Sequence, residues 1–266
     1  MDTPFNFLAA LPPPANGLSL GEQLAQAIAE RPWVDSLLAC LPSTTQPAIF
    51  STSPSRPPLT HIQIRDTVAN FRLPSSYPNT RLGPNDRIAV VLPTGPEVRH
   101  AYPRGEVSTN LFSCVQNALA LLAISAYHTC APMNASCTAQ ELLDDARRLQ
   151  IKAVVTTTDA AHRLELDHLR QELECEIIYL IPKESGPAGL FDLSAGFQPD
   201  WEVVTHQEVP QAKLQGLNDF SLILQTSGTS GTKKVVPYTL RSLIIGALAV
   251  MTSWGLREDD VDSECV

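Results

Sequence analysis

Residues 225–234 read Gln225-Thr-Ser-Gly-Thr-Ser-Gly-Thr-Lys-Lys234, and they directly follow the apolar run Phe220-Ser-Leu-Ile-Leu224. The stretch holds two glycines, five hydroxyl side chains and two adjacent lysines. Glycine lets the backbone approach a ligand closely, while backbone N–H groups, hydroxyls and an ammonium donate hydrogen bonds to phosphate oxygens. The pattern therefore predicts a phosphate-binding loop between a strand and a helix.

The same composition is also typical of a flexible linker or of the tip of a hairpin. An apolar run precedes the stretch and an amphipathic segment follows it, which favours a phosphate loop, because α/β proteins place phosphates at such junctions. The stretch is not a Walker A loop, since that motif has a second glycine five residues after the first. Lys233 stands five residues after Gly228. Composition alone leaves the linker and the phosphate loop both open.

The segment from Thr226 to Lys234 resembles the signature Thr-Ser-Gly-Ser/Thr-Thr-Gly-x-Pro-Lys of the adenylate-forming (AMP-binding) enzymes. This superfamily comprises the acyl-CoA synthetases, the peptide-synthetase adenylation domains and the luciferases. Seven of the eight specified positions agree when Ser230 counts as a near match for threonine, and Lys234 falls on the signature lysine. Lys233 stands where the signature has proline, which removes a fixed φ and adds a charge, so the departure affects loop stiffness more than phosphate binding.

The resemblance implies ATP-dependent activation of a carboxylic acid. In the family, the acid attacks the α-phosphate of ATP to give an acyl-adenylate and pyrophosphate, Mg²⁺ neutralises the phosphates, and a thiol of CoA or phosphopantetheine commonly accepts the acyl group. Such a displacement depends on positioning and charge stabilisation. By resemblance, Lys234 is the counter-charge of the β- and γ-phosphates, which are surrounded by Thr226, Ser227, Gly228, Thr229, Ser230 and Gly231. No catalytic residue and no metal ligand is identified.

The resemblance runs from about residue 20 to the C-terminus and covers only the first part of the family domain. The downstream motifs that contact adenine, Mg²⁺ and ribose, and the small domain with the catalytic lysine, have no counterpart. We therefore expect an incomplete N-terminal portion of an adenylate-forming domain, inactive in the complete reaction. One hypothesis is a truncated acyl-CoA synthetase or peptide-synthetase-like ligase, with a carrier domain in its full-length parent. The other is a non-catalytic nucleotide-binding or interaction fragment.

Apolar strands and amphipathic helices alternate along the chain, which predicts an α/β fold with a doubly wound, mostly parallel sheet. Capping boxes at Ser19 and Thr138 predict two helix starts. Strands are predicted at 47–50, 87–92, 151–156 and 176–181. Further predictions are one helix over about 160–174, an irregular connection over 184–216, and a helix opened by Pro237 and Thr239, whose N-terminal dipole would favour a phosphate in the loop.

Residues 98–116 interrupt the resemblance with a polar, mixed-sign stretch that has no helical apolar period. Joining Glu97 to Asn117, where a helix resumes, restores a strand-turn-helix like that of the family. The stretch begins with Val98, whose codon begins with GT, and ends with Gln116, whose codon can end in AG, and these are the dinucleotides at the two ends of an intron. One hypothesis is therefore a short retained intron translated in frame. The other is a genuine surface loop. We thus predict an irregular segment at 1–18 and one domain at 19–266, interrupted at 98–116.

The net charge of −9 and the pI of about 5.1 argue against general binding of nucleic acid or of anionic membranes, so an anionic ligand needs a local site. The six cysteines lack the paired spacing of zinc sites and of disulfide frameworks. The N-terminus lacks the basic region of a signal peptide, and the longest apolar segment, 243–256, is too short to cross a bilayer. The sequence therefore predicts a cytoplasmic protein without a membrane span.

Overall fold

The structure is a computed structural model. It describes residues 17–31, 34–50, 55–75, 82–93, 114–183, 185–187, 189–195, 211–226, 233–256, 260 and 262–263. The helices in chain order are α1 (Leu20–Ala29), α2 (His61–Ala69), α3 (Cys114–Tyr127), α4 (Ala139–Leu149), α5 (Thr158–Arg163), α6 (Leu166–Leu173) and α7 (Leu240–Trp254), with a short 3-10 helix at Leu38–Cys40. The strands are β1 (Pro47–Phe50), β2 (Leu59–Thr60), β3 (Arg87–Val91), β4 (Thr129–Pro132), β5 (Ile151–Thr156), β6 (Glu176–Pro182), β7 (Phe191–Ala195), β8 (Phe220–Thr226), β9 (Lys234–Thr239) and β10 (Asp262–Ser263).

Seven strands form the central sheet in the order β7-β6-β5-β3-β4-β8-β9. The five inner strands are parallel, and β7 and β9 lie antiparallel at the two edges. Helices α2 and α3 pack on one face, and α4, α5 and α6 pack on the other. Inner strands such as β3 are accordingly apolar on both faces, as parallel sheets require. The predicted α/β fold with a doubly wound, mostly parallel sheet is confirmed.

Both predicted capping boxes are present. The hydroxyl of Ser19 accepts a hydrogen bond from the backbone of Glu22, and that of Thr138 accepts one from Glu141. In each case the glutamate side chain also accepts from the N-cap backbone N–H, at 2.8 and 2.9 Å. Each box satisfies two N–H groups that a helix start otherwise leaves unpaired.

Two local predictions upstream of the glycine-rich stretch are wrong. The single helix predicted over 160–174 is two helices, because Glu165 takes a left-handed conformation with φ of 51° between α5 and α6. Part of the connection predicted as irregular over 184–216 is the strand β7. Its residues Phe191 and Leu193 are buried, and it pairs antiparallel with β6, with Leu193 opposite Leu180.

The helix predicted at Pro237 begins later, because Lys234–Thr239 is the strand β9. This strand is at the edge of the sheet, where a proline is tolerated because only one side of the strand donates to a neighbour. Helix α7 begins at Leu240. Thr239 is its N-cap, as predicted, and the Thr239 hydroxyl accepts from the backbone N–H of Ser242 at 3.2 Å.

Helix α3 begins at Cys114, three residues before the predicted start at Asn117. Val115 belongs to the apolar core and Gln116 is fully buried, so the end of the stretch at 98–116 is packed into the fold. Residues 98–113, and residues 1–16 of the irregular segment predicted at 1–18, lie outside the described residues. The proposed boundaries of the domain and of the insertion stay predictions.

A second, smaller sheet joins β10, β1 and β2, and a separate apolar cluster forms where α1 packs on α7. This cluster contains Leu24 and Ile28 of α1 and Leu240 and Ile244 of α7. None of the helices in the part of the chain that the structure describes is long and apolar enough to cross a membrane.

Candidate functional site

The candidate site lies where β8 and β9 are connected. Thr226 ends β8, Lys234 starts β9, and the two residues are paired directly across the hairpin. Strand β8 runs parallel to β4, so Thr226 lies at the edge of the sheet where the inner parallel strands have their carboxyl ends. Ligands of open α/β sheets bind outside that edge.

The glycine-rich stretch therefore connects two antiparallel strands, whereas the sequence predicted a connection from a strand to a helix. Of the predicted phosphate ligands, Thr226 and Lys234 are described, and they face each other across the mouth of the hairpin. Ser227, Gly228, Thr229, Ser230 and Gly231 lie outside the described residues.

The predicted contribution of the α7 dipole is wrong for geometric reasons. Thr239, the N-cap of α7, is paired with Phe220 at the opposite end of the hairpin from Thr226 and Lys234. Strand β9 separates the two ends by about 17 Å at 3.3 Å per residue. A helix dipole acts mainly within about one turn of its terminus, so α7 does not stabilise an anion held at Thr226 and Lys234.

Lys234 is exposed, and its ammonium has no hydrogen-bond or ion-pair partner among the described residues. It is therefore a positive charge that is free, within the described structure, to bind an anion. Thr226 adds an exposed hydroxyl on the paired strand. An ammonium and a hydroxyl are both donors that phosphate oxygens accept.

Lys233 differs from its neighbour, because its ammonium is paired. Nζ lies 2.5 Å from Oδ2 of Asp145 on α4, and the side chains are 44% and 17% exposed. The backbone carbonyl of Lys233 also accepts a hydrogen bond from Nη1 of Arg148, at 2.7 Å. Helix α4 thus contacts Lys233 at both its side chain and its backbone carbonyl.

Asp145 and Arg148 lie one turn apart on α4 and are joined to each other. Nη2 of Arg148 lies 3.2 Å from Oδ1 of Asp145, so the two carboxylate oxygens of Asp145 have different cationic partners. The sequence gives no signal for this cluster, because 88 residues separate Asp145 from Lys233.

Cys137 lies near this cluster, immediately before the N-cap of α4. Burial raises the pKa of its thiol, Glu141 raises it further, and Lys233 and Arg163 lower it in part. The thiol is thus protonated at neutral pH and is a poor nucleophile. All four cysteines whose side chains the structure describes are free.

The side-chain nitrogen of Gln225, one residue before Thr226, is buried and has no hydrogen-bond partner among the described residues. A buried donor without an acceptor costs roughly 1–3 kcal/mol. The carboxyl end of β8 therefore carries an unsatisfied donor beside the candidate site.

Two cavities among the described residues lie away from Thr226 and Lys234. One, of about 350 Å³, is lined by Asp86, Arg87, Lys152 and two further polar residues, and it lies at the amino ends of β3 and β5. A second, also of about 350 Å³, lies between α4 and α6. Among the described residues, no group of three or more His, Cys, Asp or Glu is placed to hold a metal ion.

Comparisons with known proteins show the family and the fold of the chain. The family described as AMP-binding enzyme matches residues 79–262, more than half of the chain. A search of curated proteins found no match.

The solved structures with a similar fold include the following three. An acyl-CoA synthetase from Brucella canis has a TM-score of 0.56 and 19% identity over 98% of this chain and 42% of that one. A long-chain-fatty-acid-CoA ligase from Archaeoglobus fulgidus has a TM-score of 0.53 and 16% identity, and the match covers 91% of this chain and 40% of that one. ATP-bound MatB from Rhodopseudomonas palustris has a TM-score of 0.52 and 17% identity, and the match covers 83% of this chain and 38% of that one. The chain thus spans 38–42% of the length of these three structures.

Proposed function

The chain belongs to the family of AMP-binding enzymes, and on this basis we propose that it forms the phosphate-binding part of an ATP-dependent enzyme that activates a carboxylic acid. The proposed product is an acyl-adenylate, as in acyl-CoA synthetases and peptide-synthetase-like ligases. The ligands proposed for the β- and γ-phosphates are Lys234 and the residues Thr226, Ser227, Gly228, Thr229, Ser230 and Gly231.

One observation carries this proposal. Lys234 is exposed at the mouth of the hairpin opposite Thr226, and it has no anionic partner among the described residues. The adjacent Lys233 is engaged by Asp145, so the available positive charge at the site belongs to Lys234. In a chain with a net charge of −9, a polyphosphate needs such a local cation.

The hairpin setting is compatible with phosphate binding without a helix terminus. The contributing groups are an ammonium and a hydroxyl on paired residues, and glycines in the connecting segment allow close approach of a backbone to a ligand. In a phosphoryl-group displacement, positioned positive charge stabilises charge that develops on the phosphate oxygens.

The Mg²⁺ that the family resemblance implies has no ligand assigned among the described residues. They offer no cluster of three or more candidate ligands, and both carboxylate oxygens of Asp145 are engaged by Lys233 and Arg148.

The complete reaction is proposed for a longer protein. The chain spans 38–42% of the length of the three similar structures, and no catalytic residue is assigned within it. The carboxylic acid, CoA or phosphopantetheine as the acyl acceptor, and a carrier domain in the parent protein are parts of the same proposal. The alternative is a nucleotide-binding or interaction fragment without catalysis.

Equilibrium titration with ATP tests the site. Loss of a hydrogen bond to a charged group costs about 1.5–3 kcal/mol, so Lys234→Ala should weaken ATP binding roughly ten- to 150-fold. Lys183→Ala is the matched control. The Lys183 side chain is 44% exposed and pairs with Asp192 at 3.1 Å, away from the hairpin.

ATP binding by Lys234→Ala equal to that of the unaltered chain would remove the site assignment. Exchange of labelled pyrophosphate into ATP with a panel of carboxylic acids, measured on a longer protein that contains this chain, then separates the two functions. Exchange supports acid activation, whereas ATP binding without exchange leaves the non-catalytic alternative.

A further inference from the structure

The two adjacent lysines at the end of the glycine-rich stretch have different surroundings. Lys234 has no described partner, whereas Lys233 is held at both its side chain and its backbone carbonyl by α4. Side chains of successive residues in extended chain point in opposite directions, so neighbouring lysines can serve separate purposes.

Three contacts form a closed cluster. The ammonium of Lys233 pairs with Asp145, Asp145 pairs with Arg148, and Arg148 donates back to the carbonyl of Lys233 at 2.7 Å. Arg148 uses its two terminal nitrogens for two different partners, which fixes the orientation of its planar guanidinium. We name the cluster of Lys233, Asp145 and Arg148 the α4 latch.

The latch holds the chain immediately before the first residue of β9. It joins the edge hairpin to a helix that packs on the parallel core, where Leu142 and Leu149 of α4 are buried. Asp145 is only 17% exposed, so its ion pair with Lys233 is better shielded from solvent than the other lysine pair, Lys183 with Asp192. Partial burial makes such a pair more effective than a fully solvated one.

We infer that Lys233 is a positioning residue that does not itself bind phosphate, and that the α4 latch fixes the place from which Lys234 reaches a bound nucleotide. This inference rests on the proposed function of Lys234. Asp145 and Arg148 then support nucleotide binding through the position of Lys234, and neither contacts the nucleotide.

The sign of the effect of Asp145→Asn separates this role from direct phosphate binding by Lys233. If Lys233 bound phosphate, Asp145 would compete for it, and Asp145→Asn would strengthen ATP binding. If Lys233 belongs to the latch, Asp145→Asn releases the chain before β9 and weakens ATP binding. Asp144→Asn removes the same charge from the same helix, at a side chain that contacts Arg147 and not the hairpin.

The experiment compares ATP affinity in Lys233→Ala, Asp145→Asn, their double variant and Asp144→Asn. Energies of exposed ion pairs correspond to factors of up to about five, so each of the first two variants should bind ATP about two- to fivefold more weakly. The double variant should be no weaker than the worse single one, because both remove one interaction. Asp144→Asn should not weaken binding. Stronger binding by Asp145→Asn, or no change in either single variant, would overturn the inference.

Failure of the unaltered chain to bind ATP would refute the proposed function alone. The α4 latch is then tested by a measurement without nucleotide. Amide hydrogen exchange of β9 should be faster in Asp145→Asn than in Asp144→Asn, by more than the difference between their urea midpoints accounts for. Equal exchange of β9 in the two variants would overturn the latch whatever the result with ATP.

Discussion

Gly189→Ala tests the packing of helix α3 against the turn between β6 and β7. Gly189 has φ of 93°, and a Cβ built on it would lie 2.3 Å from Cγ1 of Val115 and 3.2 Å from its Cβ. Val115 is 5% exposed and lies in the first turn of α3, within the stretch at 98–116. The stability of Gly189→Ala therefore tests the described position of the first turn of α3.

Two costs add in Gly189→Ala. A side chain in a left-handed conformation costs roughly 1–2 kcal/mol, and overpacking of a core position typically costs about 1–3 kcal/mol. We therefore expect the free energy of unfolding to fall by about 2–5 kcal/mol, measured by urea denaturation with circular dichroism.

Gly186→Ala is the matched control. Gly186 belongs to the same turn and has a similar φ of 82°, but a Cβ there would meet nothing within 4 Å. Gly186→Ala should therefore lower the free energy of unfolding only by the backbone strain, about 1–2 kcal/mol. Equal destabilisation by Gly186→Ala and Gly189→Ala would refute the described position of Val115. Combining Gly189→Ala with Val115→Ala should cost less than the sum of the two single changes, because the overlap with Cγ1 is gone.

Two further predictions concern stability. His128 is 2% exposed and burial lowers its pKa, so the unfolded chain binds a proton more readily. Stability should be intact above the unfolded pKa of about 6.5 and fall as pH decreases below it; a urea midpoint in His128→Asn with the same pH dependence as the unaltered chain would contradict this. Thr138→Ala removes the capping box of α4 and should cost about 1 kcal/mol in urea denaturation, whereas no loss would show that the cap contributes nothing.

Local sequence patterns predict the elements whose causes are local. The capping boxes at Ser19 and Thr138 specify helix starts through residues three apart, and the apolar runs at β3 and β5 specify strands buried on both faces. Their succession also predicts the mostly parallel α/β sheet.

The elements that the sequence does not predict depend on distant partners. Strand β9 contains Pro237, which by itself resembles a helix start, and it becomes a strand because β8 is available for antiparallel pairing. Strand β7 likewise depends on β6, while the break between α5 and α6 depends on a left-handed Glu165 that no glycine or proline announces.

The candidate site divides in the same way. Its glycine-rich stretch and Lys234 are visible in the sequence, since they form one contiguous segment. The pairing of Lys233 with Asp145 is not visible in the sequence, because only the fold brings the residue before β9 next to α4.

The central claim, that Lys234 binds the phosphates of ATP, is tested most directly by lysine footprinting. Exposed lysines are acylated briefly with and without ATP, and modification of Lys234 and Lys183 is quantified by mass spectrometry. Our account predicts that ATP protects Lys234, and that Lys183, which pairs with Asp192 away from the hairpin, is modified equally in both conditions. Equal modification of Lys234 with and without saturating ATP would contradict it.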